Sequence, residues 1–206
     1  DVRLLAENGC RVAHNPGSNL KLGSGIAPVR KYLDAGVPVG LGIDGANSSD
    51  KGSVFYQARL AALIHCVRDG DAARGVSPFE ALRMAARGGA AVMLMEERLG
   101  TIETGKQADL VVLDRTLNFE PWLDPVSALA FAEDGESVES VFIEGEEVVR
   151  DGRALVADRE EMLRIVEGAA RRLRENLPEA VAEAESLRPH LHAVSRKYSA
   201  IPFDQA

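Results

Sequence analysis

Cysteine is scarce: the chain has two among 206 residues, Cys10 and Cys66. Both stand in apolar surroundings and neither has a metal-type spacing. That leaves no disulfide framework and no cysteine-based zinc module. The two read as small buried thiols of a reducing compartment, so a cytoplasmic protein is expected. No apolar run reaches the ~20 residues that cross a bilayer, and the first nine residues have no signal-peptide layout. A basic cluster is also missing. The 24 Lys and Arg stand against 32 Asp and Glu, for a net charge of -8, which argues against nucleic acid or anionic membrane as principal partner. There is no Walker loop, dinucleotide glycine fingerprint, nucleophile elbow or internal repeat. No initiator Met opens the chain either. Asp1 stands inside a running helical pattern with no capping signal before it, as expected of a piece of a longer protein.

What is present is an ordinary globular composition, 46% hydrophobic, organised around Val37 to Ser48. Val37, Val39, Leu41 and Ile43 fall on one strand face at period 2, while Pro38, Gly40 and Gly42 leave the other face almost bare, open to close approach. The strand ends on Asp44, with Gly45 behind it to turn the backbone and Asn47, Ser48 and Ser49 at the exit. Asp44-Gly45 could be a hairpin turn, but a polar loop and a helix-period segment follow it, not a second strand. In parallel α/β proteins ligands bind at the carboxyl ends of strands, where Asp44 would then sit.

Before this strand, Val2, Leu5 and Ala6 have helical spacing capped by Asn8-Gly9. Cys10 to Ala13 reads as a short buried strand ending on His14. The Gly-, Ser- and Asn-rich segment Asn15 to Ala27 reads as a long functional loop, and Pro28 to Gly36 as a helix. Cys10 to Ile43 is thus one βαβ unit with parallel strands, so His14 and Asp44 should open onto the same end of the sheet.

After it, a helix is expected from about Ser53 to Val67, with Phe55, Ala58, Ala62 and Cys66 inside and His65 packed on it. A capping box at Ser77-Pro78-Phe79-Glu80 starts another, which Gly88-Gly89 ends. Gly100 to Asp114 reads as two strands around Gly105-Lys106, the second buried at Leu110 to Leu113. Val138 to Ile143 and Glu147 to Val149, with turns at Glu144-Gly145 and Asp151-Gly152, complete a small antiparallel set. Between them Asn118 to Gly135 is a loop with a short helical piece, and Trp122 is expected to pack inside. From Arg159 a charged amphipathic helix runs to a break at Pro178 and resumes to about Ser186, followed by a tail. Arg171, Arg172 and Arg174 among Glu167, Glu175 and Glu179 read as a solvated face, and His190 and His192 follow Pro189 too near the terminus to be read as barrel-strand ligands.

Three stretches together carry a resemblance: Val12-Ala-His-Asn-Pro-Gly-Ser-Asn-Leu-Lys-Leu-Gly-Ser-Gly-Ile-Ala-Pro-Val29, Gly40-Leu-Gly-Ile-Asp-Gly-Ala-Asn-Ser48, and Gly100-Thr-Ile-Glu-Thr-Gly-Lys-Gln-Ala-Asp-Leu-Val-Val-Leu-Asp114. In this order they resemble the metal-dependent amidohydrolase superfamily, in particular the methylthioadenosine/S-adenosylhomocysteine deaminases, the 8-oxoguanine and guanine-type deaminases and the s-triazine hydrolases. The resemblance implies an α/β fold, here the carboxyl-terminal part of a (β/α)8 TIM barrel holding its strands 7 and 8. Residues 1–98 would be this barrel portion, 99–156 a share of a small antiparallel β domain, and 157–206 a carboxyl-terminal helical extension.

The resemblance further implies one divalent metal, zinc or else iron, with Asp44 both ligand and catalytic proton carrier. Ser48, Asn47, His14 and Asn19 would face or shape a substrate site for an amino-substituted heterocycle such as a purine or pterin. Hydroxide formed on the metal would attack the ring carbon and expel ammonia. Hydrolytic dechlorination or deamination of an s-triazine is an alternative, and a noncatalytic or regulatory member of the family is another. The family's His-x-His pair and its other histidine ligands have no counterpart here, so the missing amino-terminal barrel strands must come from the same or another chain. A homo-oligomer is possible.

Overall fold

The parallel strands β1 (Val12–His14) and β2 (Val39–Leu41) pair with Val12 opposite Val39 and His14 opposite Leu41, as the βαβ reading requires. They are seen in a computed structural model that describes residues 2–68 and 71–199. Helix α1 (Val2–Glu7) precedes β1. Between the strands lie two helices, α2 (Pro16–Leu22) and α3 (Val29–Asp34). The long loop expected at Asn15 to Ala27 is therefore partly helix. Pro16 occupies the first turn, where its missing N–H costs nothing, and Gly23 closes the helix in the left-handed conformation at φ 67°. A Gly/Ser/Asn-rich sequence hides a helix whose ends are this well capped.

After β2 come α4 (Ala46–Ser49) and α5 (Val54–Arg68). Val29, Val39, Ala58, Ala61, Ala62, Val76, Ala81 and Met84 form the core. Three alanines on one face let α5 lie close against β2, where a larger side chain would hold it off. Cys10 and Cys66 are half-buried, not buried, and neither belongs to this cluster.

Helix α6 (Pro78–Arg83) starts with the expected capping box: Ser77 Oγ accepts from Glu80 N, and Glu80 accepts from Ser77 N. Gly88-Gly89 does not end the helical path. A wide π turn, Met84–Gly88, leads directly into α7 (Gly89–Val92). The reason is the bare face of β2. A Cβ on Gly88 would stand 2.0 Å from the Val39 carbonyl oxygen, and one on Gly40 would stand 2.8 Å from the Gly88 carbonyl oxygen. Two glycines bring backbone onto backbone, and the helix widens to fit over the strand.

The second half carries a four-stranded antiparallel sheet in the order β3 (Leu110–Leu113), β4 (Val138–Ile143), β5 (Glu146–Arg150), β6 (Arg153–Ala154). The two expected turns are present, with positive φ at Glu144 (53°), Gly145 (84°), Asp151 (50°) and Gly152 (67°), the signature of type I′ hairpins. The strand expected before Gly105-Lys106 is absent, since no partner strand lies beside it among the described residues. Nor is β3 buried: the consecutive residues Val111 and Val112, one on each face of the strand, are 54% and 42% exposed. Helix α8 (Pro125–Phe131) is capped by Asp124, whose Oδ1 accepts from Val126 N and Ser127 N. Trp122 is 42% exposed instead of packed inside. Phe119 takes the buried place, Trp122 meets its ring edge-on, and Arg115 lies 5.4 Å from the indole centroid, so one ring face keeps a cation instead of a core.

The chain divides into two units, 1–155 and 156–206. Within the second, α9 (Arg159–Ser199) is one unbroken helix that passes through both Pro178 and Pro189. The break expected at Pro178 does not occur, because Ala, Leu, Glu and Arg around it are strong helix formers that carry the path past one missing hydrogen bond. The segment from 200 lies outside the described residues. No helix among them is long and apolar enough to cross a membrane.

A candidate active site at the mouth of the parallel strands

Beyond β2, Gly42 N donates to the His14 carbonyl, 3.0 Å, and carries the pairing one residue further. Asn15 lies across the bare α-carbon of Gly42, where a Cβ would meet its Oδ1 at 2.4 Å. The chain then turns at Asp44 itself, with φ 59°. Gly45, expected to make this turn, has ordinary extended backbone at φ -69°. A non-glycine residue held in the left-handed region is strained, and short carboxylates tolerate that strain best.

The strain is held by two hydrogen bonds. Ser18 Oγ donates to Asp44 Oδ2 at 2.6 Å, and Gly45 N donates to Oδ1 at 2.8 Å. Both favour the anion, so the Asp44 carboxyl lies below its usual range, Ser18 being the larger cause. Asp44 is exposed, an ionised carboxylate fixed in direction and open on one side.

Ser18 is delivered by α2, whose start is anchored in turn by α5. Gly17 N donates to Gln57 Oε1 at 2.9 Å, and Gln57 is fully buried. Neither Ser18 nor Gln57 was legible as a site residue. Ser18 lies within the Asn15–Ala27 stretch without any periodic signal, and Gln57 looks like one polar residue on an apolar helix.

Asn47 and Ser48 follow on α4, with Ser48 Oγ 3.5 Å from Asn47 Oδ1. Lys21 Nζ donates to the Asn47 carbonyl at 2.9 Å and to Asp50 Oδ2 at 2.6 Å, pinning α4 to α2. Asn19 sits next to Ser18 on α2, half-buried. Further along, Lys51 Nζ and Arg59 Nη1 both pair with Asp134 Oδ1, at 3.2 and 3.1 Å, and Arg59 Nη2 donates to the Glu133 carbonyl at 2.9 Å. These cations hold Asp134 below its usual range, Lys51 first.

His14 is turned another way. It is 2% exposed, its Nε2 3.2 Å from Nε2 of the equally buried His65 on α5. One ring donates and the other accepts, so at most one of the two can be charged. Burial first, and the charge of His65 second, push the His14 pKa down to about 4. In the unfolded chain its pKa is near 6.5. Between these values the unfolded state binds a proton that the native state refuses. Stability from this residue is therefore complete above about pH 6.5 and declines as pH falls toward 4, by up to ~3 kcal/mol. Denaturant unfolding at pH 7.5 and pH 5 is expected to show this loss in the parent protein and a smaller loss in His14→Gln; equal losses would put the acid sensitivity elsewhere.

A metal finds one ligand of the right kind here, the exposed and ionised Asp44. Among the described residues no group of three or more His, Cys, Asp or Glu side chains stands close enough to hold an ion. His14 offers nothing through Nε2, which faces His65.

Parallel strands whose carboxyl end carries a fixed loop carboxylate, followed by a small antiparallel sheet, describe a chain built on an α/β enzyme scaffold. The chain belongs to the amidohydrolase family, whose model matches residues 1–148. It is 43% identical over 182 residues to a 5-methylthioadenosine/S-adenosylhomocysteine deaminase of Desulforudis audaxviator, a match covering 86% of this chain and 41% of that protein. Among solved structures, an adenosine deaminase from Xanthomonas campestris with bound zinc superimposes with a TM-score of 0.82 at 32% identity, over 84% of this chain and 40% of that one. Atrazine chlorohydrolase from Arthrobacter aurescens complexed with zinc gives 0.76 at 31% identity, over 81% and 37%. The chain thus spans about two fifths of the length of the proteins it matches.

Proposed function

We propose that the whole protein is a metal-dependent aminohydrolase that removes ammonia from an amino-substituted purine-type heterocycle, and that this chain is its carboxyl-terminal part. In this reading β1 and β2 are barrel strands 7 and 8, residues 99–156 are a share of a small β domain, and the remaining metal ligands come from amino-terminal strands. The observation that carries the reading is Asp44: an exposed carboxylate at the end of a parallel strand, held in a strained backbone and kept ionised by Ser18 and Gly45. The likeness to deaminases, and to zinc-containing structures, supports it.

A zinc ion held by the assembled site would supply a water whose pKa falls to about 7. Asp44 would provide one oxygen ligand, accept a proton and hand it to the departing amine. Ser18 keeps the carboxylate aimed, and Asn47, Ser48 and Asn19 border the space a ring would occupy. His14, buried against His65, shapes the strand end from behind.

Ser18→Ala is expected to lower metal affinity or turnover of the full-length protein by ~10–100-fold, the usual cost of losing a group that orients a ligand. Metal content after dialysis and steady-state rates measure it, and unchanged values would remove Ser18 from the site. The function itself is tested with purified full-length protein, its metal content, and a panel of methylthioadenosine, S-adenosylhomocysteine, guanine and atrazine. Stoichiometric zinc with ammonia release from a purine supports the reading. Chloride release from atrazine would favour the triazine alternative, which the atrazine chlorohydrolase likeness also supports. A metal-free protein inert to all four would point to the noncatalytic alternative.

A further inference from the structure

The long helix α9 carries a pattern that the site does not use. Starting at Leu163 and stepping alternately by three and four residues, every position up to Val194 is Leu, Val or Ala. A helix that merely docks on a globular surface repeats every 3.6 residues; a strict 3.5-residue repeat sustained over more than four heptads is the seam of a supercoiled helix pair. Along it Leu173, Leu177, Leu187 and Leu191 are 46% to 64% exposed. The residues least suited to a helix interior, Gly168, Pro178 and Pro189, all fall at outer heptad positions. The carbonyls that the prolines leave unbonded therefore open to water, and the seam stays intact.

We infer that α9 forms an antiparallel coiled coil with α9 of a second copy of this chain. The occupant must itself be a helix of matching length, about 47 Å at 1.5 Å per residue. Among the described residues the next longest helix is α5, with 15 residues, too short by half. The orientation follows from size. In a parallel pair each seam residue meets its own copy, so Ala170, Ala180 and Ala184 would each face an alanine and leave three hollow layers. In the antiparallel register that sets Leu177 against the partner's Ala180, Ala170 faces the partner's Leu187 and Leu173 the partner's Ala184. Every small residue then meets a leucine. The same register sets Glu167 beside the partner's Arg188 at the flanking positions, opposite charges at both ends of the two-fold. Within its own helix Arg188 already pairs with Glu185, 2.5 Å away and exposed, so the intermolecular pair selects orientation more than it adds strength.

Sedimentation equilibrium of the full-length protein at micromolar concentration tests this. A mass twice that of the single chain is expected, and Leu173→Asp combined with Leu187→Asp should weaken the dimer at least 100-fold while leaving the far-ultraviolet circular dichroism of the folded body in place. Orientation is read by mixing an Ala170→Cys chain with a Leu187→Cys chain under mild oxidation. The antiparallel pair gives a mixed disulfide between the two variants, which neither variant forms alone. A monomeric parent protein, a dimer indifferent to both aspartates, or an Ala170→Cys chain that cross-links to itself would each overturn the inference.

Discussion

Asp44→Asn in the full-length protein is expected to abolish turnover, by at least ~10³-fold in kcat/KM, with no change in folding. The magnitude follows from the two roles proposed for this residue, a metal-ligating oxygen and the group that moves the proton. Folding should survive for reasons local to the turn. Asp44 is exposed and its backbone φ is 59°, and asparagine adopts the left-handed region as readily as aspartate. Its side-chain oxygen can accept from Gly45 N while its amide nitrogen donates to Ser18 Oγ, so neither hydrogen bond is orphaned. The variant therefore separates chemistry from structure: circular dichroism and melting temperature should match the parent while ammonia release vanishes and zinc content drops. Residual activity above a tenth of the parent's would assign the proton transfer to another residue.

Gly88→Ala should have the opposite signature, a large loss of stability wherever the chain is probed. Its Cβ would lie 2.0 Å from the Val39 carbonyl oxygen, and backbone cannot step aside as a flexible side chain can. Relief requires the π turn to lift off β2, opening the core at Met84 and Val39. Overpacking of this kind costs about 3 kcal/mol or more, and melting of the full-length protein should fall by several degrees. Gly52→Ala is the matched control. Nothing lies within 4 Å of a Cβ there, so it should stay within ~0.5 kcal/mol of the parent. If the two variants melt together, the close approach of Gly88 to β2 is not a feature of the protein in solution.

The parallel pair, the capped helices and the type I′ hairpins were legible because each rests on local rules: period-2 apolar residues at Val37 to Ile43, Ser77-Pro78 with Glu80, and Glu144-Gly145 with Asp151-Gly152. What was missed depends on partners distant in sequence. Helix α2 looks like a loop until Gln57 is seen holding Gly17 N. Gly88-Gly89 looks like a stop until Gly40 is seen beneath it. Trp122 looks like core because of its size, yet Phe119 fills that place. Asp44 was singled out from its position at a strand end, where the structure places it, whereas its turn was credited to Gly45 and its hydrogen-bond donor Ser18 was passed over. His14, expected near substrate, shares a buried pair with His65, a relation that a sequence separation of 51 residues conceals.

Asp134, held by both Lys51 and Arg59, ties the segment just beyond Asp44 to the connector that leads into β4. Linkage between two places in a molecule is reciprocal. Whatever quiets the Asn47–Lys51 segment must also quiet that connector, and amide hydrogen exchange around Gly135 to Ser137 would register occupancy at a position 83 residues along the chain from Lys51. The converse binds evolution as well. A change at Asp134, in a stretch with no visible chemistry, would retune the segment beside Asp44, so drift in the appended sheet is answerable to the candidate site.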